Sequence, residues 1–130
     1  MLSGRHASIG LQRSFTRTDR EAASRVLRRL GLARWARRTL GELSYGQTRL
    51  VLFARALVRN PRLLLLDEPY DSVDAPTRVV LGRELRKLAA RGVAIVVTAH
   101  SPEAWIAHAT HELEVDRGRV RYVGVLRGAR

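Results

Sequence analysis

Four consecutive leucines, Leu63 to Leu66, run straight into Asp67, Glu68 and Pro69. A continuous apolar run this short has no polar side to give to water, so it reads as a parallel strand covered on both faces. A second run, Val93 to Val97, has the same character and leads into Thr98-Ala99-His100. The segment between them has helical spacing. Strand, helix and strand in that order predict an α/β layout with functional groups at the C-terminal ends of parallel strands.

The punctuation around these strands is helical. Thr18-Asp19-Arg20-Glu21 predicts a capping box, with Ala22, Val26, Leu27 and Leu30 following at helical spacing and Gly31 where a C′ glycine belongs. Trp35 and Leu40 are expected to pack against that helix, and Trp105 is read as a core residue too. A second box, Ser44-Tyr45-Gly46-Gln47, opens a helix whose stripe is Leu50, Val51, Ala54, Leu57 and Val58, with Arg49, Arg55 and Arg59 largely off it. Asn60-Pro61 ends it. Asp74 caps a third helix, Pro76 is tolerated in its first turn, Leu81, Leu85 and Leu88 share one side, and Gly92 closes it. Ser101-Pro102-Glu103 starts a short helix. Glu112 to Asp116 and Arg119 to Val125 flank Arg117-Gly118 as a hairpin.

At 130 residues the chain has room for one ordinary core. No apolar run approaches the roughly 20 residues of a membrane span, and the N-terminus lacks the apolar centre of a signal peptide. Without cysteine there is no disulfide, thiolate metal site or cysteine nucleophile. The net charge of +12 is uneven: residues 1–40 hold ten Arg against two acids. Such a bias suits an anionic partner, but Lys87 is the sole lysine among 24 basic residues, which points to an overall preference for arginine. Aromatics at 5% leave little for bases to stack on, so nucleic acid is not the expected partner.

Two adjacent carboxylates at a buried strand end need compensation, and a metal bound to phosphate supplies it. Mg²⁺ takes one or two carboxylates, several waters and the phosphates of its substrate. Asp67 would then orient the Mg²⁺ shell, while Glu68, directed to the other side of the chain, would accept a hydrogen bond from an attacking water. A helix cap or surface ion pair is the bland alternative. His100 follows the second strand as Glu68 follows the first, so both can emerge at one sheet edge and His100 can donate to a phosphate oxygen. Ser44, Tyr45, Gly46 and Gln47 present backbone N–H groups at a helix start, an anion site in which Gly46 lets the backbone approach closely. An ordinary capped helix is the alternative there.

In combination these stretches resemble the ATP-binding cassette (ABC) ATPases. LSYGQ is similar to their signature motif, and ARALVRNPRLLLLDEP to the signature helix running into the Walker B strand. Asp71-Ser72-Val73-Asp74 resembles the D-loop and Thr98-Ala99-His100 the H-loop. Tyr45 departs from the commonest glycine, and Asp71 from the usual small residue. Among branches of the family, molybdate-transport cassettes come nearest to SIGLQ…LSYGQTRLVL.

The resemblance implies a partial P-loop NTPase fold of ABC type, with residues 1–40 as part of the helical subdomain and 41–130 as the C-terminal half of the ATPase core. It implies ATP and Mg²⁺ as ligands, Glu68 and His100 as catalytic groups, and Asp67 at the metal. Ser44, Tyr45, Gly46, Gln47 and Asp74 would face nucleotide, the signature turn closing over ATP held by another domain. The family's phosphate loop, G-x-x-x-x-G-K-S/T, has no counterpart here, since Lys87 lies between Arg86 and Leu88 in a helical stretch. Expected partners are therefore the missing N-terminal half or another nucleotide-binding domain, together with a transmembrane permease. The expected location is the cytoplasm, peripheral on the inner face of the membrane. A non-catalytic or degenerate subunit completing a partner's site, and a soluble ABC-type ATPase acting on nucleic acid, are the alternatives.

Overall fold

In the computed structural model, which describes residues 16–99 and 109–126, each α-helix starts on an oxygen-bearing cap. Helix α1 spans Arg17–Arg29, α2 Tyr45–Leu57 and α3 Ala75–Ala89, capped by Thr16, Ser44 and Asp74. The first of these corrects the sequence expectation of a box at Thr18–Glu21. Thr16 and Asp19 bond reciprocally, Asp19 N–H to Thr16 Oγ1 at 3.2 Å and Thr16 N–H to Asp19 Oδ2 at 3.0 Å. Glu21 is left to pair with Arg17 one turn back, at 2.9 Å. Gly31 and Gly92 end α1 and α3 in left-handed conformations, φ 73° and 79°. Leu32 N–H reaches Leu27 C=O and Val93 N–H reaches Leu88 C=O, the long bond of a Schellman ending in each case.

Strand β1, Leu63–Asp67, pairs in parallel with β2, Ala94–Thr98, in a register running from Leu63↔Ala94 to Asp67↔Thr98. Helix α3 makes the crossover. The core joins Val26, Leu27 and Leu30 of the α1 region to Leu50, Phe53, Ala54 and Leu57 of α2, Leu64 of β1, and Leu81 and Leu88 of α3. Trp35, in a short 3₁₀ turn at Ala33–Trp35, packs against this core as expected. Leu40 does not; it starts the 3₁₀ turn Leu40–Glu42, capped by a Thr39–Glu42 box, and is exposed.

The expectation of strands covered on both faces also needs correction. Alternation sends Leu64 and Leu66 to the helices, while Leu63 and Leu65 keep 52% and 68% of their surface and Val96 is likewise exposed. Among the described residues, helices cover one side of this sheet only.

Glu84 sits on the inner side of α3 with 1% of its side chain exposed. Lys87 Nζ lies 3.0 Å from one carboxylate oxygen, with Arg83 Nε at 3.5 Å, and Arg29 Nε of α1 lies 3.4 Å from the other. The sole lysine is thus part of an ion cluster that ties α1 to α3.

The described residues divide into two compact units after Thr98. In the second, β3 (His111–Asp116) and β4 (Arg119–Val125) form the expected antiparallel hairpin. Both turn residues have positive φ, Arg117 at 48° and Gly118 at 74°, as a two-residue type I′ turn requires. The register shifts between Glu114 and Val115, so that Val120 pairs with Val115 and Tyr122 with Glu114. That bulge brings Val120 onto the face shared by Leu113, Val115, Val123 and Val125, all exposed. Trp105, His100 and the helix start at Ser101-Pro102-Glu103 lie outside the described residues, as does SIGLQ. No helix among the described residues is long and apolar enough to cross a membrane.

Neutralising the buried carboxylate without changing its shape isolates its charge. We predict that Glu84→Gln lowers stability by about 2 kcal/mol, since hydrogen bonds to charged groups contribute about 1.5–3 kcal/mol. Urea unfolding with an unchanged m-value measures this; a midpoint equal to that of the wild type refutes it.

Candidate functional site

At the start of α2, Ser44 and Gln47 form the box read from the sequence: Gln47 N–H donates to Ser44 Oγ at 3.3 Å, and Ser44 N–H to Gln47 Oε1 at 3.1 Å. The reciprocal pair occupies the outer donors and leaves the N–H groups of Tyr45 and Gly46 as the helix-end donors. Tyr45 is half exposed, and its hydroxyl accepts from Arg49 Nη2 at 2.6 Å and Nε at 3.0 Å. The guanidinium carbon also lies 5.1 Å from the Tyr45 ring centroid. Arg49 therefore fixes a cation beside this turn. Sequence reasoning assigned it only to the polar side of α2, although spacing of four from Tyr45 was the available signal.

Gly46 has a packing reason for its missing side chain. A Cβ there would meet Thr77 Oγ1 at 2.9 Å and Asp74 Oδ1 at 3.5 Å. The start of α2 is thus seated against the start of α3, two positive helix ends within one small region. Asp74 meets that field with its carboxylate, which accepts from Thr77 N–H at 2.9 Å. The Thr77 hydroxyl and then the Thr77 N–H hold the Asp74 carboxyl below its ordinary pKa. A lowered pKa means this cap acts in full above the ordinary aspartate value and is lost as pH falls through the folded value. Thr77, itself buried, was missed because nothing local marks it.

At the sheet, Asp67 closes β1 and is exposed, while Glu68 is half-buried. The carboxylate pair therefore does not occupy the interior edge assumed from the sequence, because among the described residues only one side of the sheet is covered. Strand alternation stops at Asp67: Glu68 has φ 44°, a left-handed conformation uncommon outside glycine. Thr98, opposite Asp67 in the register, bridges the two. Its Oγ1 donates to Asp67 Oδ1 at 2.5 Å and accepts from Glu68 N–H at 3.1 Å. The chain then turns, Asp71 N–H donating to Glu68 C=O at 3.1 Å with Pro69 in the favoured second position. Buried Pro69 and Val73 anchor the short link to Asp74. On this link Tyr70 is partly buried, which raises its hydroxyl pKa, with Arg86 acting weakly against the shift.

The structure thus unites Asp67 and Glu68 around Thr98, and Ser44, Tyr45, Gly46, Gln47 and Asp74 around the α2–α3 contact. His100 lies outside the described residues. No group of three or more His, Cys, Asp or Glu that could hold a metal occurs among the described residues. An exposed carboxylate such as Asp67 does fit Mg²⁺ arriving with a phosphate ligand, which needs one or two protein oxygens and brings waters of its own.

Comparison with known proteins gives these features a context. The family described as ABC transporter matches residues 4–71, just over half of the chain. The Fe(3+) ions import ATP-binding protein of Rhizobium meliloti is 36% identical over 92% of this chain and 31% of its own length. The aliphatic sulfonates import ATP-binding protein of Mycobacterium avium is 42% identical over 78% of this chain and 41% of its own. Among solved structures, a dimeric ATP-binding cassette in a post-hydrolysis state, bound to ADP and Pi, superposes with a TM-score of 0.76 at 28% identity. It matches 90% of this chain and 51% of that one. The chain therefore spans under half the length of these curated relatives.

The Gly46 contact yields a prediction. Gly46→Ala should cost about 1–3 kcal/mol, as overpacking does, whereas the same change in a Thr77→Ala background should cost under about 0.5 kcal/mol. A double-mutant cycle in urea measures the coupling; additive costs would disprove the contact.

Proposed function

The chain belongs to the ABC transporter family, and from that premise we propose that it is the C-terminal part of an ATP-hydrolysing cassette that energises transport. The observation that carries this reading is the acidic pair at the tip of β1, where Thr98 of β2 holds the Asp67 carboxylate and the Glu68 backbone N–H, following the Ser44–Gln47 box in the family's order. Residues 1–40 would contribute to a helical subdomain and 41–130 to the ATPase core.

In this reading Asp67 holds a water of the Mg²⁺ shell. Bound with ATP, Mg²⁺ would neutralise charge developing on the phosphates. Glu68 accepts a hydrogen bond from the attacking water and draws off its proton as the water attacks the terminal phosphorus, whose bond to the bridging oxygen breaks so that ADP leaves and phosphate forms. His100 donates to a phosphate oxygen. Ser44, Tyr45, Gly46 and Gln47 turn their helix-end donors, with the Arg49 cation behind them, toward ATP held by a second cassette. Asp74 acts by fixing the start of α3 beside that turn.

The phosphate loop would come from an N-terminal half or from another nucleotide-binding domain, and a membrane permease would receive the work. That arrangement would hold the chain in the cytoplasm, on the inner face of the membrane. The two curated relatives are named for different cargoes, an iron ion and sulfonates, so no cargo is proposed.

The test is reconstitution. ATP turnover should be at background for the chain alone and should rise when an N-terminal half carrying the phosphate loop, taken from a relative, is co-expressed with it. Glu68→Gln in that complex should lower kcat by about 10²–10⁴, the contribution of general base catalysis. Vigorous hydrolysis by the isolated monomer, or turnover indifferent to Glu68, would overturn the reading.

A further inference from the structure

We propose that Thr98 is a positioning residue for the hydrolytic centre: its one hydroxyl orients the Asp67 carboxylate and holds the Glu68 backbone in its left-handed turn. The inference deepens the nucleotide reading above and rests on it. Its basis is the register. Asp67 and Thr98 are paired across the parallel strands, so their side chains project to the same side of the sheet. Thr98 Oγ1 thereby comes within 2.5 Å of Asp67 Oδ1, the short separation of a charge-assisted hydrogen bond.

A hydroxyl has a single proton. Given to Asp67, it leaves Oγ1 with lone pairs only, and one of these accepts the Glu68 N–H at 3.1 Å. The two bonds are mutually consistent and fix both neighbours at once. Asp67 keeps Oδ2 and the remaining lone pair of Oδ1 for a water of a metal shell. Glu68 is held at φ 44°, a left-handed region that a non-glycine residue keeps only where its surroundings enforce it. Because the strand pattern ends there, the direction of the Glu68 side chain is set by this backbone twist rather than by alternation. The β-branch of Thr98 restricts χ1, so the bridging oxygen is itself pre-oriented. Partners of this kind, one step behind the groups that meet the metal, typically change metal affinity or activity by about 10–100-fold when removed.

Thr98→Val keeps the shape and removes the hydroxyl, and Thr98→Ser restores it. In the full chain, amide hydrogen exchange at Glu68 should accelerate at least about tenfold in Thr98→Val and stay near wild type in Thr98→Ser. In the reconstituted complex, Mn²⁺ binding read by electron paramagnetic resonance with a non-hydrolysable ATP analogue should weaken by about 10–100-fold in Thr98→Val, kcat falling alongside. Thr98→Ser should recover most of both. Unchanged exchange and Mn²⁺ binding in Thr98→Val, or a serine variant as impaired as valine, would overturn the proposal. Asp67→Asn and Glu68→Gln in the same complex separate the two levels. If both leave turnover intact, the hydrolytic reading fails and takes this one with it. If both abolish turnover while Thr98→Val matches the wild type, only the role of Thr98 falls.

Discussion

The parallel pairing of Leu63–Asp67 with Ala94–Thr98 is the constraint on which the rest depends. It sends Leu64 and Leu66 toward the helices, gives α3 a fixed distance to cross, and brings Asp67 level with Thr98. A slip of one residue would turn Leu64 out of the core and put the Thr98 hydroxyl on the opposite side from Asp67. Packing and chemistry are therefore specified by the same register. The leucines that look like filler decide where the carboxylates stand.

From the strand tips the constraint passes along the chain. The turn at Glu68–Asp71, the buried Pro69 and Val73, and the Asp74 cap lead directly to the start of α3. There Thr77 occupies the space that a side chain on Gly46 would need. The carboxylate turn and the α2 cap are thus ends of one continuous packed path, built from short links with little slack. The glycine in this path is demanded by a neighbouring helix as well as by any ligand.

What the sequence revealed was mostly what is local. The Ser44–Gln47 box, the Asp74 cap, the glycine helix ends and the Arg117-Gly118 turn each rest on bonds between residues a few positions apart. Where two local patterns overlap, locality does not choose. Thr16-x-x-Asp19 and Thr18-x-x-Glu21 are both credible boxes, and the burial of Asp19, Ala22 and Ala23 selects the first. The site was legible as Asp67 and Glu68 because a strand ended on them. Thr98 was legible as a strand end and as part of the H-loop resemblance, but not as the partner of Asp67, which lies 31 positions away. Glu84 falls on the same stripe as Leu81, Leu85 and Leu88 by helical spacing, so its inward position was readable, whereas its link to Arg29 of α1 was not. The expectation that both strand faces are covered failed because apolar character tells what a surface needs, not what the chain itself provides.

The uncovered side of the sheet has a colloidal consequence. Leu63, Leu65 and Val96 present oil-like surface to water on a polypeptide bearing +12 charges. At low ionic strength, mutual repulsion between copies opposes contact through that strip. Added salt shortens the Debye length from about 30 Å at 0.01 M to about 8 Å at 0.15 M, removing the long-range repulsion while leaving the short-range attraction of the strip intact. Dispersion of this chain in solution is therefore a balance struck by electrolyte, with its arginines acting as the stabilising layer for a surface that the described helices do not shelter.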